Sequence, residues 1–186
     1  MSTTQILSEA STHMDKSITS LAHEFGSVRT GRASGAILEG IKVDYYGTPT
    51  PITQIAGIKS PEAQLLVIEP WDKSALKMIE KAIQSSDLGI TPSNDGSIIR
   101  LPFPPLTEER RKDLVKQCKH YSEEARVGIR NIRRDANAKL TRAEKDAEIS
   151  EDDLRRSEAE IQKQTDAHIK EIDETLKRKE AEIMEV

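Results

Sequence analysis

The stretch with the clearest chemistry is Arg126-Val-Gly-Ile-Arg130-Asn-Ile-Arg133-Arg134-Asp-Ala-Asn137. Guanidinium groups grip phosphate bidentately and stack on bases, so arginines held at fixed spacing suit folded RNA. At about 100° per helical residue, Arg126, Arg130, Arg133 and Arg134 share one narrow sector. Carried back along the chain, that sector also holds Lys112, Lys116 and Lys119, with Glu123 as its one acid. A face laced with i,i+4 salt bridges would alternate its signs. This line does not, which points to an anionic partner. Other chemistry finds no support. Arg29-Thr-Gly-Arg-Ala-Ser-Gly35 has neither the spacing of a phosphate loop nor a strand before it. His13 and His23 have no cysteine or carboxylate at metal-ligand spacing. Asp152 and Asp153 are helix-start residues. An enzyme centred on the middle of the chain would need acids that converge. Asp44, Asp72, Asp87 and Asp95 instead fall in turn or strand-end contexts. No catalytic group, metal, cofactor or small-molecule substrate is expected.

The arginines need a rigid support. Leu114, Cys118, Tyr121, Ala125, Ile129, Ile132, Ala136, Leu140, Ala143 and Ala147 recur in steps of three and four. That spacing predicts one long helix over 114–147, its buried stripe beside the arginine sector. Thr107 caps it, with Glu108 and Glu109 at its positive end. A first helix is predicted over 2–28, with a stripe of Leu7, Ala10, Met14, Ile18, Leu21, Phe25 and Val28. The second ends near Ile149, and Ser150-Glu-Asp-Asp153 starts a third as a capping box. The third stripe is Leu154, Ile161, Thr165, His168, Ile172, Leu176 and Ile183. Its polar members Thr165 and His168 predict looser packing in the middle. At about 1.5 Å per residue the helices differ in length, so the far end of the bundle is expected to narrow to a hairpin.

Between the first two helices the character changes. All eight prolines lie between Pro49 and Pro105, so helices there are interrupted. Ile41-Lys-Val-Asp-Tyr-Tyr alternates before a turn at Gly47-Thr-Pro, and 52–58, 65–68 and 97–101 are further strand candidates. Asp72 caps a short helix with the stripe Leu76, Ile79 and Ile83, and Pro92-Ser-Asn-Asp-Gly96 is turn chemistry. Trp71 is expected as a core or boundary anchor. The fold class is therefore α+β: an elongated antiparallel three-helix bundle with an inserted small β/α domain. Residues 1–30 and 106–186 form the bundle and 31–105 the insert. The hinges fall near 29–35 and 102–106, with Gly31 and Gly35 free to rotate and Pro102, Pro104 and Pro105 stiff.

Charged residues are 32% of the chain and aromatics 3%, which suits long helices with thin cores. A net charge of -4 argues against RNA binding by bulk charge, so any such binding uses a local patch. The single Cys118 falls on the stripe as a small buried hydrophobe and fits a reducing, cytoplasmic compartment. No signal peptide and no membrane span are expected. The rival structural reading is a coiled-coil adaptor, which would need spare apolar positions outside one stripe.

Several segments resemble the bacterial and organellar ribosome recycling factor family. They are Arg29-Thr-Gly-Arg-Ala, Val43-Asp-Tyr-Tyr-Gly-Thr-Pro, Ser86-Asp-Leu-Gly, Leu106-Thr-Glu-Glu-Arg-Arg and 127–137. The resemblance covers essentially the whole chain. It implies an L-shaped, monomeric protein that binds the RNA of the large ribosomal subunit after termination. With elongation factor G, which hydrolyses GTP, such a factor splits the subunits and frees mRNA and tRNA. The family's RNA-contacting arginines carry over onto Arg130, Arg133 and Arg134, and Arg29 and Arg32 match the hinge motif. A proline often follows the Arg-Ala-Ser segment in the family, and Gly35 stands there instead, which loosens the hinge.

Overall fold

The computed structural model describes residues 1–185. Among the described residues, four α-helices and six strands make an α+β protein. The chain divides into two compact units: Met1–Phe25 with Val115–Glu180, and Gly26–Leu114 with the end of the chain from Ala181.

The first unit is built from helices. Helix α1 is Thr3–Gly26, α3 is Glu108–Lys145 and α4 is Glu151–Met184. A capping box that the sequence reading missed opens α1: Gln5 N donates to Ser2 Oγ at 3.2 Å and Ser2 N to Gln5 Oε1 at 2.9 Å. The Thr107 cap of α3 is present, its Oγ1 accepting from Arg110 N at 3.1 Å. So is the box on α4, where Asp153 N reaches Ser150 Oγ at 3.1 Å and Ser150 N reaches Asp153 Oδ2 at 3.4 Å. Helix α3 stops at Lys145, short of the expected 147. Ala147 is exposed and takes φ 56°, a left-handed exit, with Glu148 N returning to Ala143 O at 2.9 Å.

Inside this unit the core is one stripe from each helix. Ile6, Ala10, Ala136, Leu140 and Ile161 form one cluster. Helix α1 reaches the α3–α4 turn, with Lys139 Nζ on Glu9 at 3.0 Å and the N-terminal amine 3.5 Å from Glu148. That end is therefore a full three-helix layer, not the expected hairpin. Thr165 also departs from expectation. It is fully buried, because its hydroxyl donates to Ile161 O at 2.8 Å and so costs the core little. His168 links helices, Nε2 lying 2.8 Å from Asp15 Oδ1 and Nδ1 2.6 Å from Gln164 O. Cys118 is buried, and that burial pushes its thiol up to about 11.

The second unit holds the sheets. Strands β1 (Lys42–Tyr45) and β2 (Thr48–Pro51) form a hairpin that turns at Tyr46 (φ 51°) and Gly47 (φ 81°). Consecutive positive-φ residues match the right-handed strand twist. Strands β3 (Ala56–Glu62), β4 (Leu65–Pro70), β5 (Ser93–Asn94) and β6 (Ile99–Pro102) form an antiparallel sheet in the order β3-β4-β6-β5. The expected strand over 52–58 is split: Ile52–Gln54 is a 3-10 turn that drops Ile52 into the core. Period-two alternation aims Leu66, Ile68, Ile99 and Leu101 inward, with Leu66 opposite Leu101 and Ile68 opposite Ile99. Helix α2 (Leu76–Gln84) buries Leu76, Ile79 and Ile83 in the same core. Asp72 caps the 3-10 turn leading into it, accepting from Ser74 N at 3.0 Å. Trp71, expected as a core or boundary anchor, is 70% exposed. Pro70 takes the inward position at the strand end, and alternation sends the next side chain out.

Candidate nucleic-acid interface

Helical geometry delivers the predicted sector on α3, but neighbouring elements sort its members. Arg126 is drawn inward, its side chain 19% exposed. Its Nε and Nη2 both donate to Asp173 Oδ1 of α4, at 3.0 and 2.6 Å, and its Nη1 to Glu123 Oε2 at 3.1 Å. Burial by itself would lower its pKa, yet the bonds to Asp173 and Glu123 outweigh that and raise it. Glu123 also touches Arg130, Nη1 to Oε1 at 3.4 Å. Arg133 donates from Nη1 to Gln162 Oε1 of α4 at 3.4 Å, and Gln162 is itself held by Asp166 at 2.9 Å. Among the described residues, Arg134, Lys116 and Lys119 are exposed and make no ion pair or side-chain hydrogen bond. Lys112 pairs with Glu108 one turn away at 3.2 Å.

The face thus carries three kinds of cation. Arg134, Lys116 and Lys119 are open. Arg130 and Arg133 are lightly steered by single long bonds. Arg126 is a clamp between helices. From Lys116 to Arg134 the run spans about 27 Å at roughly 1.5 Å per residue. The acids expected to be lacking on this face are supplied partly by α4, whose Asp173 no reading of α3 alone could place.

The basic residues of 29–35 are engaged inside the second unit. Arg29 stacks over the Phe103 ring at 5.4 Å and donates from Nη2 to Pro104 O. Burial, with Arg110 nearby, lowers its pKa. Arg32 reaches Glu185 at 3.5 Å and is 75% exposed. Neither Gly31 nor Gly35 needs a positive φ. A Cβ on Gly31 would lie 3.2 Å from Glu185 O, so close approach explains that glycine. Gly35 opens a 3-10 turn capped by Ser34. Ala33 N donates to Ala63 O at 2.6 Å and Phe103 N to Gln64 O at 2.7 Å, so one loop holds both the 29–35 stretch and the return through Pro102, Pro104 and Pro105.

Arg111 is a structural residue that the sequence reading passed over. It donates from Nη1 to Ile183 O at 2.9 Å, a carbonyl at the end of α4, and from Nε to Leu106 O, just ahead of α3, at 3.3 Å. Its position in the Leu106-Thr-Glu-Glu-Arg-Arg motif was the only available signal. On α3 the exposed large apolar side chain is Val127, which leaves no second stripe for a coiled-coil partner among the described residues. Asp72, Asp95 and Asp153 are held below the usual carboxylate range by turn and cap hydrogen bonds, from Ser74, Ile98 and Ser150 respectively. Among the described residues no group of three His, Cys, Asp or Glu side chains could hold a metal, and no helix is long and apolar enough to cross a membrane.

One helix of this α+β protein thus carries a run of cations, while the depressed carboxylates Asp72, Asp95 and Asp153 serve as helix and turn caps. Comparison with known proteins identifies its class. The family model described as ribosome recycling factor matches residues 21–184. The ribosome-recycling factor of Geobacillus kaustophilus (strain HTA426) is 58% identical over 182 residues, covering 98% of each chain. That of Myxococcus xanthus (strain DK1622) is 56% identical over 181 residues, covering 97% of this chain and 98% of its own. A solution structure of the ribosome recycling factor superposes with a TM-score of 0.82 at 42% identity, covering 100% of this chain and 99% of the other. A second structure, at a TM-score of 0.71, 49% identity and full coverage of both chains, holds models of the T. thermophilus ribosome recycling factor and the E. coli elongation factor G bound to the E. coli post-termination complex. The chain belongs to the ribosome recycling factor family and is a non-enzymatic translation factor.

Proposed function

We propose that this factor binds the RNA of the large ribosomal subunit through α3 and, with elongation factor G, splits post-termination ribosomes. The observation that carries the reading is the open line of Arg134, Lys116 and Lys119, flanked by the lightly held Arg130 and Arg133. A rigid helix presenting cations at fixed spacing selects phosphate geometry more than base sequence. The net charge of -4 keeps the remaining surface from retaining RNA at random. GTP hydrolysis belongs to the partner, and the place of work is the cytoplasm. The likeness to two solved structures, one of them holding models of a recycling factor and elongation factor G bound to a post-termination complex, supports this reading.

The test is splitting of post-termination ribosomes by this protein with elongation factor G and GTP, followed by light scattering. The wild-type chain is expected to split them, and the Arg133→Ala/Arg134→Ala chain to lose most of the activity while melting normally. Splitting unchanged by the double substitution would remove the RNA role from α3.

A further inference from the structure

Glu123 stands on the basic face, where a phosphate-binding surface has least use for an acid. Its carboxylate is held on both sides. Oε2 accepts from Arg126 Nη1 at 3.1 Å and Oε1 from Arg130 Nη1 at 3.4 Å. Arg126 is fixed in turn from α4, with two donors on Asp173 Oδ1 at 3.0 and 2.6 Å. Along the chain Asp173–Arg126–Glu123–Arg130 the side chains are 55%, 19%, 57% and 40% exposed, so Arg126 is the mostly buried member and the Glu123–Arg130 pair is open on both sides. The bonds of the mostly buried Arg126 are the shorter ones, and the Glu123–Arg130 bond, between two more open side chains, is the longest. The Glu123–Arg130 contact is therefore the link that yields first when another anion arrives.

We propose that Glu123, anchored on the Arg126–Asp173 pair, is a specificity-determining residue of this face: an internal stand-in for phosphate that Arg130 releases only to a well-placed phosphate. The inference rests on the RNA-binding reading above and adds to it a residue that chooses among polyanions. Every polyanion approaching the face meets the repulsion of Glu123. Folded RNA whose phosphates match the spacing of Arg130, Arg133 and Arg134 offsets it with a charge-assisted bond at Arg130. A flexible single strand reaches the open Arg134, Lys116 and Lys119 but delivers no phosphate to Arg130 at the same time. Glu123 thus weakens disordered RNA more than structured RNA. Asp173 acts through it as a positioning residue, by setting Arg126.

Glu123→Gln keeps the size and the carbonyl acceptor and removes the charge. Its affinities for post-termination ribosomes and for poly(U) are measured side by side across a salt series, with a thermal melt to confirm folding. Poly(U) affinity is expected to rise about fivefold, the order of one exposed charge interaction. Its logarithmic salt slope is expected to steepen by about 0.7, one further single-strand phosphate contact. Ribosome affinity is expected to rise no more than about twofold, so the ratio of the two affinities falls. Asp173→Asn is expected to lower the same ratio by a smaller factor. An unchanged ratio for Glu123→Gln, or a parallel loss of both affinities, overturns the proposal. Arg134→Ala in the same assay separates the two readings. If it weakens ribosome binding while Glu123→Gln leaves the ratio unchanged, the selectivity role alone fails. If it leaves ribosome binding unchanged, the RNA face fails and this proposal with it.

Discussion

Arg29 and Arg134 look alike in the sequence. Arg29 ends one apolar helical stripe and Arg134 lies beside another, and each has a second arginine within three residues. Their surroundings in the fold differ. Arg29 lies over Phe103, donates to Pro104 O and is partly desolvated. Arg134 is exposed with no acid on it. The first cation holds the return of the chain in place, and the second is free for an outside anion. Density of positive charge along a chain therefore does not measure availability. A guanidinium has five donors, and a fold with carbonyls or acids within reach engages them before any partner does.

The comparison can be tested from its larger effects downward. Arg133→Ala/Arg134→Ala is expected to lower ribosome affinity about 30- to 100-fold, roughly 2–2.7 kcal/mol, with stability nearly unchanged. Equilibrium binding beside urea denaturation checks both halves. Arg29→Ala is expected to do the reverse: a loss of about 2 kcal/mol of stability from the ring contact and the carbonyl bond. Direct RNA affinity, measured well below the new melting point, should be retained. A variant of Arg29 that melts normally but no longer binds would invert the comparison. Arg32→Ala sharpens it. That side chain is 75% exposed with one pair at 3.5 Å, so stability is expected to stay within about 0.5 kcal/mol.

The smallest effect concerns pH. Hydrogen bonds to Ser150, side chain first and backbone N–H second, hold Asp153 below the usual carboxylate range. A depressed folded pKa adds stability that is fully present above the ordinary carboxylate value, about 3.9, and is lost as pH falls through the lower folded value. Helicity should therefore decline below about pH 4, and Asp153→Asn should show a smaller decline over that range. An identical acid limb in both proteins would remove the cap from the account. None of the arginine variants should alter this limb, since Arg29, Arg133 and Arg134 are not in the Asp153 hydrogen-bond set.

Much of the fold was legible because its signals are local. The Thr107 and Ser150 caps, the α2 stripe and the alternation at Ile99–Leu101 each depend on residues within one turn or one strand. Errors came where a neighbouring layer decides. Ile132 lies on the predicted stripe, yet it is only partly buried, while Ile129 is fully buried. The buried stripe is narrower than the periodicity predicts, Ile132 packing at the edge of the cluster of Ile6, Ala10, Ala136, Leu140 and Ile161. Ile6, not Leu7, is the buried residue at the start of α1, a phase error of one position. Trp71, expected as a core or boundary anchor at the end of its strand, is turned outward once Pro70 takes the buried position. Thr165 was expected to loosen a core that its own hydroxyl bond makes tight.

For the site, the sequence by itself determined that Arg126, Arg130, Arg133 and Arg134 share a sector, because helical rotation is fixed by the backbone and needs no partner. It also determined the family, through motifs spread along the chain. Only the tertiary structure decided which of those cations remain available. Asp173 lies 47 residues from Arg126 and Gln162 lies 29 from Arg133, yet both meet α3 across the helix pair. Side chains so distant in sequence are brought within 3 or 4 Å only by helix packing, and no periodicity within α3 encodes which acid will lie opposite. The direction of the arginine face belonged to the sequence; the division of its charges between clamp, steered ligand and open cation belonged to the fold.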